Sequence, residues 1–345
     1  MTKSQWQDFQ ASLEHQESAY LLQGRIHVKR KTYLGEVEIM SIDGTPIRQF
    51  LSGMPKIPYL RDFAKPLLVS GKAIAASFTH KLDGTALIFS PLKLPNGETI
   101  VFPRTRGMTI IKNTQWRALK DIIDRIITPD LQESISTVCT QQNATLVFEL
   151  WGRENPHIVQ YDRDLEISLH TVIKGRSGVQ PWRLTKQLAK SYHFPIVEEL
   201  ARVKATRLTV EELRRLGKQL IDRQEQKNNP DLGLYRQEGV ILNIETQSKG
   251  WQWKLKPPSM EEYHRLAGIR ILPITVYHSI WKLIDFGEDA SLDSLVQAMQ
   301  LEYGEDAIAR SQDTISHYYR LWYSRYYEQI ISDNQSQITH LKPTR

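Results

Sequence analysis

Lys81 lies within His80-Lys81-Leu82-Asp83-Gly84-Thr85, and the chemistry open to it depends on four segments that follow. These are Arg104-Thr105-Arg106-Gly107, Phe148-Glu149-Leu150-Trp151-Gly152, Glu238-Gly239-Val240 and Lys254-Leu255-Lys256. A lysine in K-x-D-G spacing can attack the α-phosphate of a nucleoside triphosphate and carry the nucleotide as a phosphoramidate, which is nucleophilic catalysis by an amine. An ordinary lysine with a pKa of ~10.4 is only about 0.1% neutral near physiological pH. A nucleophilic one therefore needs partial burial or neighbouring cations that disfavour its charged form. Lys254, Lys256, Arg106 and a metal are the neighbours this chain offers if its segments converge; the plainer alternative is a solvated hairpin lysine.

Two carboxylates and a lysine pair carry the rest of the pattern. Glu149 interrupts an apolar strand between Phe148 and Leu150, a core-like position where a carboxylate must find partners or hold a proton. Its functional reading is an acceptor for a ribose hydroxyl, and its plainer one is a glutamate on a solvated edge. Glu238 precedes Gly239 and the apolar run Val240-Ile241-Leu242, where a hard carboxylate near a triphosphate is a natural magnesium ligand. Period two places Lys254 and Lys256 on one strand face, with Trp253 and Leu255 on the other. Two cations on one face repel unless an anion lies beside them, and a phosphate would satisfy both. The histidines are scattered without metal-ligand spacing and read as surface or packed residues.

The elements that must position these groups are coarse but readable. Residues 1–23 mix Trp6, Phe9 and Leu13 with Asp8, Glu14 and Glu17, which predicts an amphipathic helix. Arg25–Ile47 alternates as β-structure with a turn at Asp43-Gly44, and a stretch broken by Pro55, Pro58 and Pro66 follows. Ala73–Thr79, Thr85–Ser90 and Thr99–Pro103 read as strands, the last two joined by a Pro95-Asn96-Gly97 turn. Lys81 thus falls at a junction between strands, where Gly84 permits a sharp backbone change and close approach of a ligand. Helices are expected over Thr114–Ile127, Trp182–His193 and Thr209–Gln226, the last opened by a Thr209…Glu212 capping box. Thr145–Trp151, Leu234–Ile244 and Trp251–Leu255 read as strands. From Ser259…Glu262, another capping-box candidate, the pattern turns helical, with Ser291–Glu302 and Thr314–Ser332 carrying apolar spacing. The aromatic tract Tyr318, Tyr319, Trp322, Tyr323, Tyr326 and Tyr327, interleaved with Arg320 and Arg325, reads as helix packing rather than base stacking.

Bulk properties narrow the class. A chain of 345 residues with 40% hydrophobic and 24% charged residues is an ordinary globular protein of one large or two smaller domains. Its net charge of +6 suits a polyanionic partner. Cys139 is the sole cysteine, which excludes an intrachain disulfide and a cysteine-built metal site and fits a reducing compartment. No run approaches the ~20 apolar residues of a membrane span, and no apolar leader opens the chain, so a cytoplasmic location without membrane contact is expected.

Read whole, the ordered segments resemble the covalent nucleotidyltransferases, and within them the phage-type ATP-dependent RNA ligases of the RNA ligase 1, tRNA-repair group. The resemblance includes Lys56-Ile57-Pro58-Tyr59, Asn155-Pro156-His157-Ile158-Val159, Tyr161, the run ending His170-Thr171-Val172, and Tyr263, covering roughly residues 25–265. It implies an α+β fold: an ATP-grasp-like ligase (nucleotidyltransferase) domain with antiparallel sheets over 1–258, including an N-terminal subregion 1–70, then an all-helical C-terminal domain over 259–345. It further implies Lys81 as the adenylated nucleophile, Glu149 on the ribose and Glu238 at magnesium or manganese. Lys254 and Lys256 would hold the α-phosphate, Lys56 the triphosphate, and Arg106 a phosphate or the RNA end. The reaction implied is ATP-dependent joining of RNA 5′-phosphate and 3′-hydroxyl ends in RNA repair, with tRNA a candidate and an end-healing kinase-phosphatase as a partner. One departure stands out. Where the family grips the triphosphate with an N-terminal arginine, this chain has Glu36-Val37-Glu38-Ile39-Met40, leaving Arg30 or Arg48 as substitutes. A DNA ligase, a GTP-dependent capping enzyme and a catalytically inactive RNA-binding homologue are the alternatives; the first two normally carry a β-barrel after the lysine pair.

Overall fold

The computed structural model describes residues 6–15, 18–27, 33–60, 72–109, 111–113, 119–155, 157–175, 178–204, 208–230, 234–266, 271, 275–277, 279–280, 283, 289–303 and 305–324. Arg30, Pro66, Trp116, Pro156, Arg325, Tyr326 and Tyr327 lie outside them. The chain divides into two compact units. One comprises Met1–Lys112, Leu119–Asn229 and Leu234–Pro258; the other Asn113–Ala118, Pro230–Gly233 and Ser259–Arg345.

The first unit is built on three antiparallel sheets. Strands β1 (Trp6–His15), β2 (Ser18–His27), β4 (Val37–Ile42) and β5 (Thr45–Leu51) form one, in the order β1-β2-β4-β5. Short β3 (Tyr33–Leu34) pairs with β6 (Met54–Pro55). The second sheet runs β12-β11-β10-β8-β9, from β8 (Thr85–Lys93), β9 (Thr99–Thr105), β10 (Ala144–Trp151), β11 (Glu166–Lys174) and β12 (Gly178–Val179). The third runs β13-β7-β14-β15, from β7 (Ala75–His80), β13 (Glu199–Lys204), β14 (Val240–Glu245) and β15 (Gly250–Leu255).

Helices cover one face of each of the last two sheets. Against the second lie α1 (Leu119–Ile126), α2 (Pro129–Gln142) and α3 (Trp182–Ser191), where Ile122, Val138, Cys139 and Ala189 meet Phe89, Phe148 and Leu169. Against the third lies α4 (Val210–Glu225), where Leu213, Leu220 and Ile221 meet Phe78, Leu242 and Trp253. Two helices are capped by threonines: Thr209 accepts from Glu212 N, as its spacing predicts, and Thr128, which no expectation marked, accepts from Leu131 N. The opposite faces mix polar residues with a small apolar cluster of Ala86, Ile88, Val147 and Ile173, and they meet where Gln252 Nε2 donates to Thr171 Oγ1 at 3.1 Å.

The sequence expectation fails at the N-terminus. Trp6–His15 and Ser18–His27 pair antiparallel as β1 and β2 over ten residue pairs and do not form an amphipathic helix. Phe9, Ala11 and Leu13 alternate at period two and pack with Leu22 and Ile26 on the shared core. The helical reading weighted the charges between them instead. The strand expected over 234–244 begins only at Val240, because Gly239 turns at φ 145° and the Arg236 and Gln237 amides donate to Asn228 Oδ1. Helix α5 (Pro258–Leu266) begins one residue before Ser259, with proline suited to a first turn. Three elements carry no clear signal in the sequence: α2, β11 and β13.

The second unit has helices α5, α6 (Leu292–Tyr303), α7 (Glu305–Ala309) and one over 312–324, and its described residues include no strand. Val276, Ile280, Leu295, Met299, Ile315 and Trp322 form its core, with Tyr318 and Tyr319 packed against it. The described part of the aromatic tract therefore packs, apart from the half-exposed Tyr323.

Candidate active site

The loop from β7 to β8 crosses from the third sheet to the second, and Lys81 sits on it. Its backbone is fixed where Lys81 N donates to Gly239 O at 2.9 Å. Gly239 can be nothing larger: a Cβ there would meet Leu255 O at 2.1 Å, and its φ is +145°. Gln224 of α4 holds the same carbonyl from the other side at 3.1 Å. Gly84, read as room for a ligand, instead makes room for its own fold, since a Cβ would meet Leu150 O at 2.1 Å. The loop and β10 are thereby in backbone contact.

Asp83 of the K-x-D-G segment fastens this loop to the next one. Its Oδ2 accepts from Ile158 N at 2.7 Å and Val159 N at 2.9 Å, and its own amide donates to Tyr161 Oη at 2.7 Å. Burial, with Glu238 nearby, pushes the carboxyl up to about 6. These contacts make it a structural buckle.

The charged groups converge around Lys81. Its Nζ bonds Glu238 Oε2, while Lys256 Nζ lies 2.8 Å from Glu238 Oε1. Burial disfavours the Lys81 ammonium, but the facing carboxylate outweighs it and the net shift is upward. The expectation of a depressed Lys81 pKa is thus reversed, because Glu238 stands closer than the cations do. Burial likewise penalises the Glu238 carboxylate, but Lys81 and Lys256 hold it below the ordinary range. Lys254 extends over the Tyr59 ring at 4.5 Å, its backbone N donating to Pro58 O at 2.9 Å. Partial burial, then Lys256 and Lys81, bring its pKa down to about 8, with exposed Lys56 adding to the effect.

Glu149 stands on β10, opposite Ala86 and Ser168 of its neighbours. Burial drives its pKa up to about 8 against the opposing Lys81 ammonium, so the carboxyl holds a proton at neutral pH. Exposed Arg106 acts on Glu149 through its charge, placing it beside the same cluster. His170 Nε2 lies 3.6 Å from Glu149 Oε2. Burial, with Lys81 and Arg106, takes this imidazole down to about 3, so it is neutral.

The structure thus brings Lys81, Glu149, Glu238, Lys254, Lys256, Arg106 and Lys56 into one electrostatically coupled cluster. Arg104, in contrast, is fully buried away from it, donating to Gly35 O, Ser52 O and Ser90 Oγ, and burial brings it down to about 9. Arg48 is engaged with Glu38 on the N-terminal sheet. The roles of His170 and Tyr59 escaped the sequence reading, since neither spacing nor periodicity marks a ring that reaches a site across sheets.

The cluster is chemically fit for a nucleoside triphosphate. Five cationic side chains face only three carboxyls, two of which are pushed toward the neutral form. Among the described residues, no group of three or more His, Cys, Asp or Glu could hold a metal. A magnesium or manganese ion that keeps its waters and leans on phosphates needs only one or two protein carboxylates, and Glu238 would be that ligand.

No protein-family profile matches the chain, and no curated protein matches it. Among solved structures it is similar to an archaeal ATP-dependent RNA ligase, at 16% identity and a TM-score of 0.49, over 88% of this chain and 74% of that one. A chain from Aquifex aeolicus provisionally designated an ATP-dependent DNA ligase gives 14% identity and a TM-score of 0.49, over 91% and 78%. A Naegleria gruberi RNA ligase variant solved with ATP and manganese gives 14% identity and a TM-score of 0.42, over 62% and 58%.

Proposed function

We propose that this chain is an ATP-dependent RNA ligase that joins 5′-phosphate and 3′-hydroxyl ends through AMP carried on Lys81. The observation that carries the reading is the cluster itself: a partly buried lysine at a junction of two sheets, bonded to Glu238, with Lys254 and Lys256 beside it and Glu149 across from it. In the first step the Lys81 ammonium gives up one proton to solvent to free its lone pair, Nζ bonds the α-phosphorus as the bond to pyrophosphate breaks, and the nitrogen releases a second proton to solvent as the phosphoramidate forms. Lys254 and Lys256 hold the α-phosphate where charge develops, and Lys56 and Arg106 contact the outer phosphates or the RNA end. A metal at Glu238 supplies positive charge to the triphosphate when bound. AMP then passes from Lys81 to the RNA 5′-phosphate, and the 3′-hydroxyl displaces it to form the phosphodiester.

Incubation with α-labelled ATP and magnesium, followed by denaturing electrophoresis, tests this directly. A label retained on the wild-type chain and lost in Lys81→Ala is expected. AMP mapped to a different lysine would sink the assignment, and equal labelling by GTP would move the chain to the capping class. RNA rather than DNA as substrate is supported by the helices of α5 to residue 324, where the described residues hold no β-barrel strand.

A further inference from the structure

We propose that His170 is a positioning residue of this nucleotide site, directing an Nε2–H at one oxygen of Glu149 so that the other is presented to the ribose hydroxyls. The proposal rests on the ATP reading above and assigns a group that reading does not use. It begins with a bulge. Along β10 and β11, Val147 pairs with Thr171 and Phe148 with Leu169, which leaves His170 as the extra residue of β11. In a regular strand neighbours point to opposite faces, whereas a bulge re-aims a side chain. Here His170 and Thr171 meet, Nδ1 to Oγ1, at 2.9 Å, while His170 Nε2 reaches toward Glu149.

The proton positions follow from a chain of hydrogen bonds that crosses between the second and third sheets. Asn243 Nδ2 donates to Thr79 Oγ1 at 3.2 Å, so Asn243 Oδ1 is the acceptor for Gln252 Nε2 at 3.0 Å. The same Gln252 amide donates to Thr171 Oγ1 at 3.1 Å, a better geometry than the 3.4 Å contact in which Thr171 would donate to Gln252 Oε1. With its oxygen accepting from Gln252, the Thr171 hydroxyl turns its hydrogen to His170 Nδ1. A neutral imidazole that accepts at Nδ1 carries its proton on Nε2. That Nε2 is buried and has no hydrogen-bond partner, and Glu149 Oε2 lies 3.6 Å from it. A closure of about half an ångström completes the bond, with Oε2 accepting from Nε2–H while the carboxyl keeps its proton on the other oxygen. The polar chain thus ties the residue facing the ribose to β7, the strand that leads into Lys81.

The test is single-turnover adenylylation of Lys81 with ATP, 2′-deoxy-ATP, 3′-deoxy-ATP and GTP. Wild type is expected to favour ATP over at least one deoxy analogue. His170→Ala and the near-isosteric Thr171→Val should raise the ATP requirement by roughly ten- to a hundredfold and erase that preference, as expected when a buried polar group loses its hydrogen-bond partner. His170→Gln, which restores an amide N–H, should recover part of it. The double variant of His170→Ala with Glu149→Ala should be no worse than Glu149→Ala alone, the signature of residues acting through one another. Equal losses for ATP and its deoxy analogues would overturn the proposal in favour of a packing role. A changed ATP-to-GTP ratio with the deoxy preference intact would overturn it in favour of base contact. If wild type formed no adduct with any nucleotide, the ATP reading itself would fall; if the adduct formed and the ratios did not move, His170 alone would be misassigned. Thr171→Val keeps the test open if His170→Ala does not fold.

Discussion

Glu149 keeps a proton that an unfolded chain would release. Its carboxyl titrates at about 8 in the fold against an ordinary 4.5, so between those values the folded state binds one proton more than the unfolded state. Stability from this group is full below the lower value and declines as pH rises through the window. Glu149→Gln keeps the shape without the titration. Its melting temperature relative to wild type should therefore climb steadily from pH ~5 to pH ~8. Asp83, raised for the same reason, is common to both chains and cancels. Parallel melting curves across that range would show that Glu149 is ionised in the fold. The lysines make a kinetic prediction: Lys254→Ala and Lys256→Ala should each lower adenylylation by ~10²–10³ while folding normally, as for loss of one preorganised donor. Near-full activity in either would place that lysine outside the site.

At the scale of elements, two glycines separate backbone need from mere flexibility. A Cβ on Gly84 would run into Leu150 O at 2.1 Å and touch Glu149 Cγ at 3.2 Å, whereas one on Gly107 meets nothing within 4 Å. Gly84→Ala should cost ~1–3 kcal/mol and disturb Glu149, while Gly107→Ala should stay within ~0.5 kcal/mol. Denaturant melts of both variants decide this, and similar midpoints would remove the steric account. The charged residues that converge were more legible than the framework. Lys81 stood out by its K-x-D-G spacing, Glu149 by interrupting an apolar strand, Glu238 by preceding one, and Lys254 and Lys256 by their period-two spacing; capped α4 announced itself through Thr209 and Glu212. The N-terminal hairpin was misread because Phe9, Ala11 and Leu13 offer a short alternation that helical charge spacing can mimic. His170 was passed over because a bulge has no periodicity to detect. The upward shift of Lys81 was missed because sequence lists which charges are present but not which is nearest.

Across the whole molecule, the net charge of +6 and the lysine cluster argue for backbone-dominated RNA contact. Affinity for 5′-phosphorylated RNA should fall at least about tenfold between ~50 and ~200 mM salt, measured by fluorescence anisotropy. The 2′-hydroxyl gives a means of rejecting DNA, so RNA ends should be sealed faster than a matched DNA nick. Faster sealing of the DNA nick would replace the RNA reading with a DNA ligase that carries a helical unit.

Arg104 carries a different consequence, one for how the first unit comes apart. Its guanidinium is sealed inside with the Gly35 and Ser52 carbonyls and the Ser90 hydroxyl as its partners. Two of these lie on the segments flanking β4 and β5, and the third lies on β8. Peeling the N-terminal sheet away would break two of the three Arg104 hydrogen bonds and bare Leu92, Ile100 and Phe102 of the shared core to water. The sheet and the lysine-bearing body should therefore open as one cooperative block. Amide protons of β4 should exchange with solvent only at the rate of global unfolding, and in Arg104→Met they should exchange by a separate, easier opening. A stand-alone body trimmed of its first fifty or so residues should accordingly aggregate rather than fold, however complete its reactive residues.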